Sequence, residues 1–146
     1  MEVSEPMSQF YLKTAEETEA IAQALAQDLR APSVIFLEGQ LGAGKTTFVK
    51  GLLRGFGYEG LAKSPTYTLV EIYPTNEFTI LHADLYRIKD SSELEAMGFR
   101  DYFNPNTIAV IEWASRAEKD LPKPQILCTL KMPENGVGRF LTVEKY

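Results

Sequence analysis

The chain has 146 residues, 45% of them hydrophobic, which suits one globular domain around one core. Its formal net charge of −5 argues against broad, independent nucleic-acid binding by electrostatics. No apolar run reaches the roughly 18 residues that span a bilayer, and one Cys and one His exclude an internal disulfide or a His/Cys zinc site built from this chain alone.

The start, Met1-Glu2-Val3-Ser4-Glu5-Pro6, is acidic and lacks the basic and apolar stretches of a signal peptide. The expectation is a cytoplasmic protein of one domain, with residues 1–8 as a loose tail. Gln9 to Leu12 reads as a short first strand. Thr14-Ala15-Glu16-Glu17 is a capping-box signature. It predicts a helix to about Arg30, with Ile21, Ala24, Leu25 and Asp28/Leu29 at helical spacing and Pro32 just beyond.

Val34-Ile35-Phe36-Leu37 is an apolar run that predicts a buried strand. Residues 39–46, Gly-Gln-Leu-Gly-Ala-Gly-Lys-Thr, match the phosphate-binding pattern G-x-x-x-x-G-K-[ST] in full. Thr46 to Phe56 follows as a helix, with Phe48, Leu52 and Phe56 on one face. Strand, glycine loop and helix is the context the motif needs. Gly39 permits a sharp exit from the strand, and Gly42 and Gly44 let backbone amides approach phosphate oxygens and form an anion nest. The helix N-terminus adds partial positive charge, Lys45 brings a full one to the β- and γ-phosphates, and the Thr46 hydroxyl is placed for Mg²⁺. Lys45, Lys50, Arg54 and Lys63 make this segment locally basic, which balances nucleotide charge, with an RNA-binding patch as the alternative.

Leu69 to Tyr73 and Phe78 to Leu85 read as a hairpin around Pro-Thr-Asn-Glu. Ser92 and Glu95 start a short helix that Gly98 can end, and Thr107 to Ile111 is a fully apolar strand. Gln125 to Met132 and Arg139 to Glu144 form a second hairpin around Asn135-Gly136. Cys128, within it, reads as core rather than reactive. The predicted fold is α/β: a single phosphate-loop NTPase-like domain whose mixed central sheet, flanked by helices, carries antiparallel strands at its edges.

A phosphate loop needs a second magnesium anchor at the end of a neighbouring strand, usually an Asp after four apolar residues. Ile108-Ala109-Val110-Ile111 ends in Glu112, and Phe78 to Ala83 ends in Asp84. Glu112 is assigned to the metal and Asp84 to orienting the attacking water or linking to the metal shell; for each, a salt-bridged carboxylate is the alternative. Ser64-Pro65-Thr66-Tyr67-Thr68 is a candidate switch, or else a plain turn. His82 reads as a buried structural histidine, with a base as the alternative. Trp113 is a candidate for stacking on adenine or on a partner, with a core role as the alternative. Arg87, Arg100 and Arg116 are each able to neutralise transition-state charge, as is an arginine from a partner.

The segments LEGQLGAGKTTFVKGLLRGFG, KSPTYTLVEIY, HADLYRI, ELEAMGFRDYF and IAVIEW, in this order, resemble the bacterial TsaE family, formerly called YjeE. The resemblance spans roughly residues 9 to 145. It implies a small ATPase needed for threonylcarbamoyladenosine synthesis in tRNA, binding ATP and Mg²⁺. It further implies work beside the TsaD and TsaB proteins, which transfer the threonylcarbamoyl group to the adenosine next to the anticodon, so that tRNA is met only through that complex. By motif position Thr46 and Glu112 would hold Mg²⁺, and Lys45, Asp84 and Glu112 would form the catalytic set. The nucleotide contacts would be Thr14, Gly39, Gln40, Leu41, Gly42, Ala43, Gly44, Lys45, Thr46, Thr47 and Trp113; capping alone also explains Thr14. Alternatives are a small metabolite kinase, against which stands the lack of an Arg-rich lid, and a nucleotide-gated adaptor.

Overall fold

The computed structural model describes residues 7–40, 42–65 and 69–146. Its framework is a seven-stranded sheet in the order β1-β7-β6-β2-β5-β4-β3. The strands are β1 (Ser8–Leu12), β2 (Ser33–Glu38), β3 (Val70–Pro74), β4 (Thr79–Asp84), β5 (Thr107–Glu112), β6 (Ile126–Lys131) and β7 (Arg139–Lys145). β6, β2, β5 and β4 run parallel, while β7, β1 and β3 are antiparallel to their neighbours. Parallel strands in the middle and antiparallel ones at the edges are as expected. β2 and β5 need apolar residues on both faces because both faces are covered, which is why they read as unbroken hydrophobic runs.

α1 (Ala15–Gln27) and α2 (Lys45–Gly55) pack together on one face. Ile35 and Leu37 of β2, Ile80 of β4 and Ile108 and Val110 of β5 form the core beneath them. The opposite face buries Val34, Phe36, Leu81, Ala109 and Ile111 under α3 (Ser92–Ala96) and the short 3-10 turn Phe99–Tyr102. The capping box forms as read: the Glu17 amide donates to the Thr14 hydroxyl at 3.1 Å, and the Glu17 carboxylate accepts from the Thr14 amide at 3.1 Å.

Three expectations are corrected. α1 ends at Gln27 with Asp28 as its cap, not near Arg30. Its buried stripe is Thr18, Ala22 and Ala26; Ile21 and Leu25 are half-buried and Ala24 is exposed. The reason lies on α2. A Cβ at Gly51 would lie 2.4 Å from the Glu19 carbonyl and 2.7 Å from the Ala22 Cβ; at Gly55 it would lie 2.5 Å from the Gln23 carbonyl and 2.6 Å from the Ala26 Cβ. Two glycines facing two alanines bring the backbones into contact, so small residues own the interface. Finally, β1 begins at Ser8, paired with Val143, inside the stretch read as a loose tail.

Candidate nucleotide-binding site

β2 delivers the chain into the glycine loop at its C-terminal end. A Cβ on Gly39 would lie 2.9 Å from the Leu130 carbonyl of β6, so the loop leaves β2 pressed against its neighbouring strand. Gly42 and Gly44 have φ of +85° and +98°, the left-handed region that side chains disfavour. Within the loop the Ala43 amide donates to the Gln40 carbonyl at 3.0 Å. Gly44 precedes the first turn of α2, and no side chain caps that turn, so its amides face the loop mouth. Thr46 and Thr47 lie in this turn, Thr46 exposed and Thr47 half-buried. Leu41 lies outside the described residues.

Three charged or titratable groups converge beside the loop. Lys45 Nζ lies 3.4 Å from Glu112 Oε1, and His82 Nε2 lies 2.6 Å from Glu112 Oε2. Parallel register explains the meeting: His82 pairs with Val110 and Asp84 with Glu112, and residues two apart on a strand share a face. His82, Asp84 and Glu112 therefore belong to the α2 side of the sheet. Burial pushes the Glu112 carboxyl up, but the His82 hydrogen bond and the charges of His82 and Lys45 outweigh it and hold the group below its ordinary value. His82 is 3% exposed, as expected of a structural histidine. Cys128 is also buried, its thiol pushed up to about 12 by desolvation, which makes it an inert core group.

Asp84 is half-buried at the end of β4. Its Oδ1 accepts from the Tyr86 amide at 3.0 Å, and its own amide donates to the Leu69 carbonyl at 3.0 Å. Leu69, with φ of +73°, donates its amide to the Pro65 carbonyl at 2.6 Å. Pro65 of the candidate switch is thus joined to Leu69, just beyond it, and Leu69 to Asp84. Thr66, Tyr67 and Thr68 lie outside the described residues.

Trp113 has φ of +58°, a strained setting for a bulky residue, and turns the chain sharply after Glu112. Its ring lies 5.2 Å from Lys45 Nζ and 4.9 Å from the Tyr86 ring. The Arg116 guanidinium stacks at 5.8 Å over Trp113 and 5.5 Å over Tyr86. Of the three arginines the sequence left open, Arg116 is the one joined to Trp113; Arg100 instead lines a small surface pocket with Glu95 and Asp120.

Two cavities flank the loop. The larger, about 790 Å³, is lined by Gly39, Gln40, Ala43, Lys45, Trp113 and Met132 among others. It falls in the size range of nucleotide-sized ligand sites. The smaller, about 150 Å³, lies on the α1 side and is lined by Thr14, Gly44, Thr47 and Arg139. Thr14 and Trp113 are therefore not brought into one cavity. Arg139 was not among the residues singled out from the sequence. It opens β7 and donates to the Gly42 carbonyl at 3.0 Å and to the Gly138 carbonyl at 2.6 Å. No local pattern announces it, because its contact is made 97 residues away.

Among the described residues there is no group of three or more His, Cys, Asp or Glu able to hold a metal ion, and no helix is long and apolar enough to cross a membrane. The donor set nevertheless suits Mg²⁺, which is usually held by one or two protein oxygens with phosphate and water completing its shell. An ionised carboxylate and a first-turn hydroxyl flank the loop; the side chain brought against Glu112 is Lys45 rather than Thr46.

A family model described as "Threonylcarbamoyl adenosine biosynthesis protein TsaE" matches residues 12–139. A protein of Haemophilus influenzae named tRNA threonylcarbamoyladenosine biosynthesis protein TsaE is 50% identical over 97 residues, 66% of this chain and 61% of the relative's own length. A Bacillus subtilis protein of the same name is 39% identical over 80% of this chain and 72% of its own, and one from Rickettsia typhi is 38% identical over 92% of both. The crystal structure of Bacillus subtilis YdiB superposes with a TM-score of 0.77 at 28% identity, covering 99% of this chain and 88% of that one. The phosphate-loop architecture, the ordered motifs and these matches agree, and the chain belongs to the TsaE family.

Proposed function

We propose that this chain is a cytoplasmic, magnesium-dependent ATPase that serves the threonylcarbamoyladenosine modification of tRNA next to the anticodon, acting with the TsaD and TsaB proteins. Family membership supports the role in threonylcarbamoyladenosine biosynthesis, which the names of its relatives carry. The observation that carries the nucleotide chemistry is the Lys45–Glu112 pair, 3.4 Å apart at the mouth of a complete phosphate loop.

The triphosphate lies along the loop, its oxygens met by the amides of the uncapped α2 N-terminus. Lys45 exchanges Glu112 for the β- and γ-phosphates, a charge-assisted contact of the same kind. Glu112 stays ionised, since His82 remains bonded to its second oxygen. With Thr46 it would hold Mg²⁺, which neutralises charge developing between the phosphates. Asp84, beside Glu112 in the parallel ladder, orients the attacking water. Trp113 and the rest of the larger cavity receive the base. Thr14 approaches from the α1 side; its hydroxyl oxygen accepts in the cap, leaving its proton to donate.

The isolated chain is expected to hydrolyse ATP slowly, with TsaD and TsaB accelerating it. Turnover of tens per second by the protein alone contradicts partner dependence. Depletion of the protein followed by nucleoside analysis of total tRNA tests the biological half: threonylcarbamoyladenosine falls if the proposal holds and is unchanged if it does not.

A further inference from the structure

Lys63 lies in coil between α2 and β3, where no helix or strand ladder supplies its backbone with partners. Both of its polar groups close on one atom instead. The Lys63 amide donates to the Tyr73 hydroxyl oxygen at 2.7 Å, and that hydroxyl donates its own proton to the Lys63 carbonyl at 2.9 Å. A phenol both donates and accepts, so a single side chain fills the two roles. Two bonds to one residue restrain both of its soft dihedrals. The clamp is itself fixed. Tyr73 is 1% exposed in β3, and the Tyr58 ring stands edge-on to it with centroids 4.8 Å apart. Burial raises the Tyr73 hydroxyl above its ordinary value of 10.0, so its proton stays in place to donate.

From this anchor a short chain of backbone contacts leads to Asp84. Proline fixes its own φ and restricts the residue before it, so Ser64 and Pro65 form a stiff connector. The placement of Lys63 therefore sets where the Pro65 carbonyl points. That carbonyl accepts from the Leu69 amide at 2.6 Å, and the Leu69 carbonyl accepts from the Asp84 amide at 3.0 Å. Leu69 has φ of +73°, a setting that a leucine keeps only where its surroundings hold it. Its two backbone bonds are that hold. Tyr73 pairs with Ile80 in the β3–β4 ladder, and Ile80 and Asp84 are four apart on β4, so the Tyr73 ring and the Asp84 carboxylate share one face of the sheet.

We infer that Tyr73 is a positioning residue: its hydroxyl anchors Lys63 and, through Pro65 and Leu69, holds the backbone of Asp84 where the carboxylate orients the attacking water. The inference rests on the role proposed for Asp84 above. Tyr73 lines neither cavity beside the phosphate loop, so it acts on turnover and not on nucleotide affinity.

The test compares wild type, Tyr73→Phe and Asp84→Asn in three measurements: MgATP hydrolysis with TsaD and TsaB present, calorimetric binding of MgATP, and amide hydrogen exchange. Tyr73→Phe keeps the ring and removes only the hydroxyl. It should lower kcat at least about five-fold while MgATP affinity stays within about two-fold of wild type. Faster exchange at Lys63 follows from the lost bond itself; the deciding amides are Leu69 and Asp84, which should also exchange faster. Folded Tyr73→Phe protein with wild-type kcat, or with Leu69 and Asp84 still fully protected, overturns the inference, and an inactive Asp84→Asn beside it leaves the role of Asp84 intact. Wild-type hydrolysis by Asp84→Asn overturns that role, and the part of Tyr73 with it. If Tyr73→Phe does not fold, exchange in wild type decides: the Lys63, Leu69 and Asp84 amides should open together as one unit, and a Lys63 amide that opens independently of Asp84 overturns the inference.

Discussion

His82 Nε2 and Glu112 Oε2 meet at 2.6 Å between two parallel strands, both residues less than a tenth exposed. The contact gives a buried carboxylate a partner that does not leave when Lys45 does. Glu112 can therefore remain charged through a cycle in which its lysine is taken over by phosphate. Replacing Glu112 by Gln keeps the shape and removes the charge. We expect Mg²⁺-dependent ATP affinity to fall at least about ten-fold, against about 1–3 kcal/mol in folding stability. Unchanged affinity in the presence of magnesium would remove Glu112 from the metal site.

The same residue sets a pH dependence. The folded-state pKa of Glu112 lies below its ordinary value of 4.5, so the stability it contributes is fully present above about pH 5 and fades as pH falls through the lower folded value. Urea midpoints of wild type and Glu112→Gln should differ by a constant amount above about pH 5 and converge in more acid solution. Curves that stay parallel to pH 3 would show that the carboxyl is not held down by its partners.

The α1–α2 contact predicts an inversion of helix propensity. Ala is intrinsically about 1 kcal/mol better than Gly in a helix interior. At Gly51 the added methyl would lie 2.4 Å from the Glu19 carbonyl, and at Gly55 2.5 Å from that of Gln23. Gly51→Ala and Gly55→Ala should each destabilise by about 1–3 kcal/mol by overpacking, read as a lower urea midpoint. A gain in stability in either would mean the helices do not approach this closely.

Thr14 has two candidate roles that substitution separates. Thr14→Ala should cost about 1 kcal/mol through the lost cap, and Thr14→Asp should restore it, since Asp caps at least as well. If Thr14 also touches nucleotide, Asp restores stability but weakens ATP binding through charge. Equal ATP affinity in all three proteins would confine Thr14 to capping.

What was readable in the sequence was local. The loop pattern, the Thr14–Glu17 capping box and the apolar runs at 34–37 and 107–111 depend on neighbours within a turn or a strand, and each stands where it was read. The chain also shows why other features were hidden. His82 meets Glu112 because β4 and β5 pair in one register, and residues 30 apart carry no mark of that. Arg139 reaches Gly42 only once β7 lies beside β6 and β6 beside β2. The buried stripe of α1 was displaced because hydrophobicity favours Ile21 and Leu25, whereas close packing against Gly51 and Gly55 favours Ala22 and Ala26. The left-handed turn at Trp113 has no glycine to signal it.

Lys45 links the central claim to a signal the protein carries itself. Trp113 is the chain's one tryptophan, and the Lys45 ammonium lies 5.2 Å from its ring. Adding MgATP should draw Lys45 to phosphate and change Trp113 fluorescence saturably, in step with calorimetric binding, and Lys45→Ala should abolish both. Wild-type protein that takes up no nucleoside triphosphate by calorimetry, with or without TsaD and TsaB, would contradict the account.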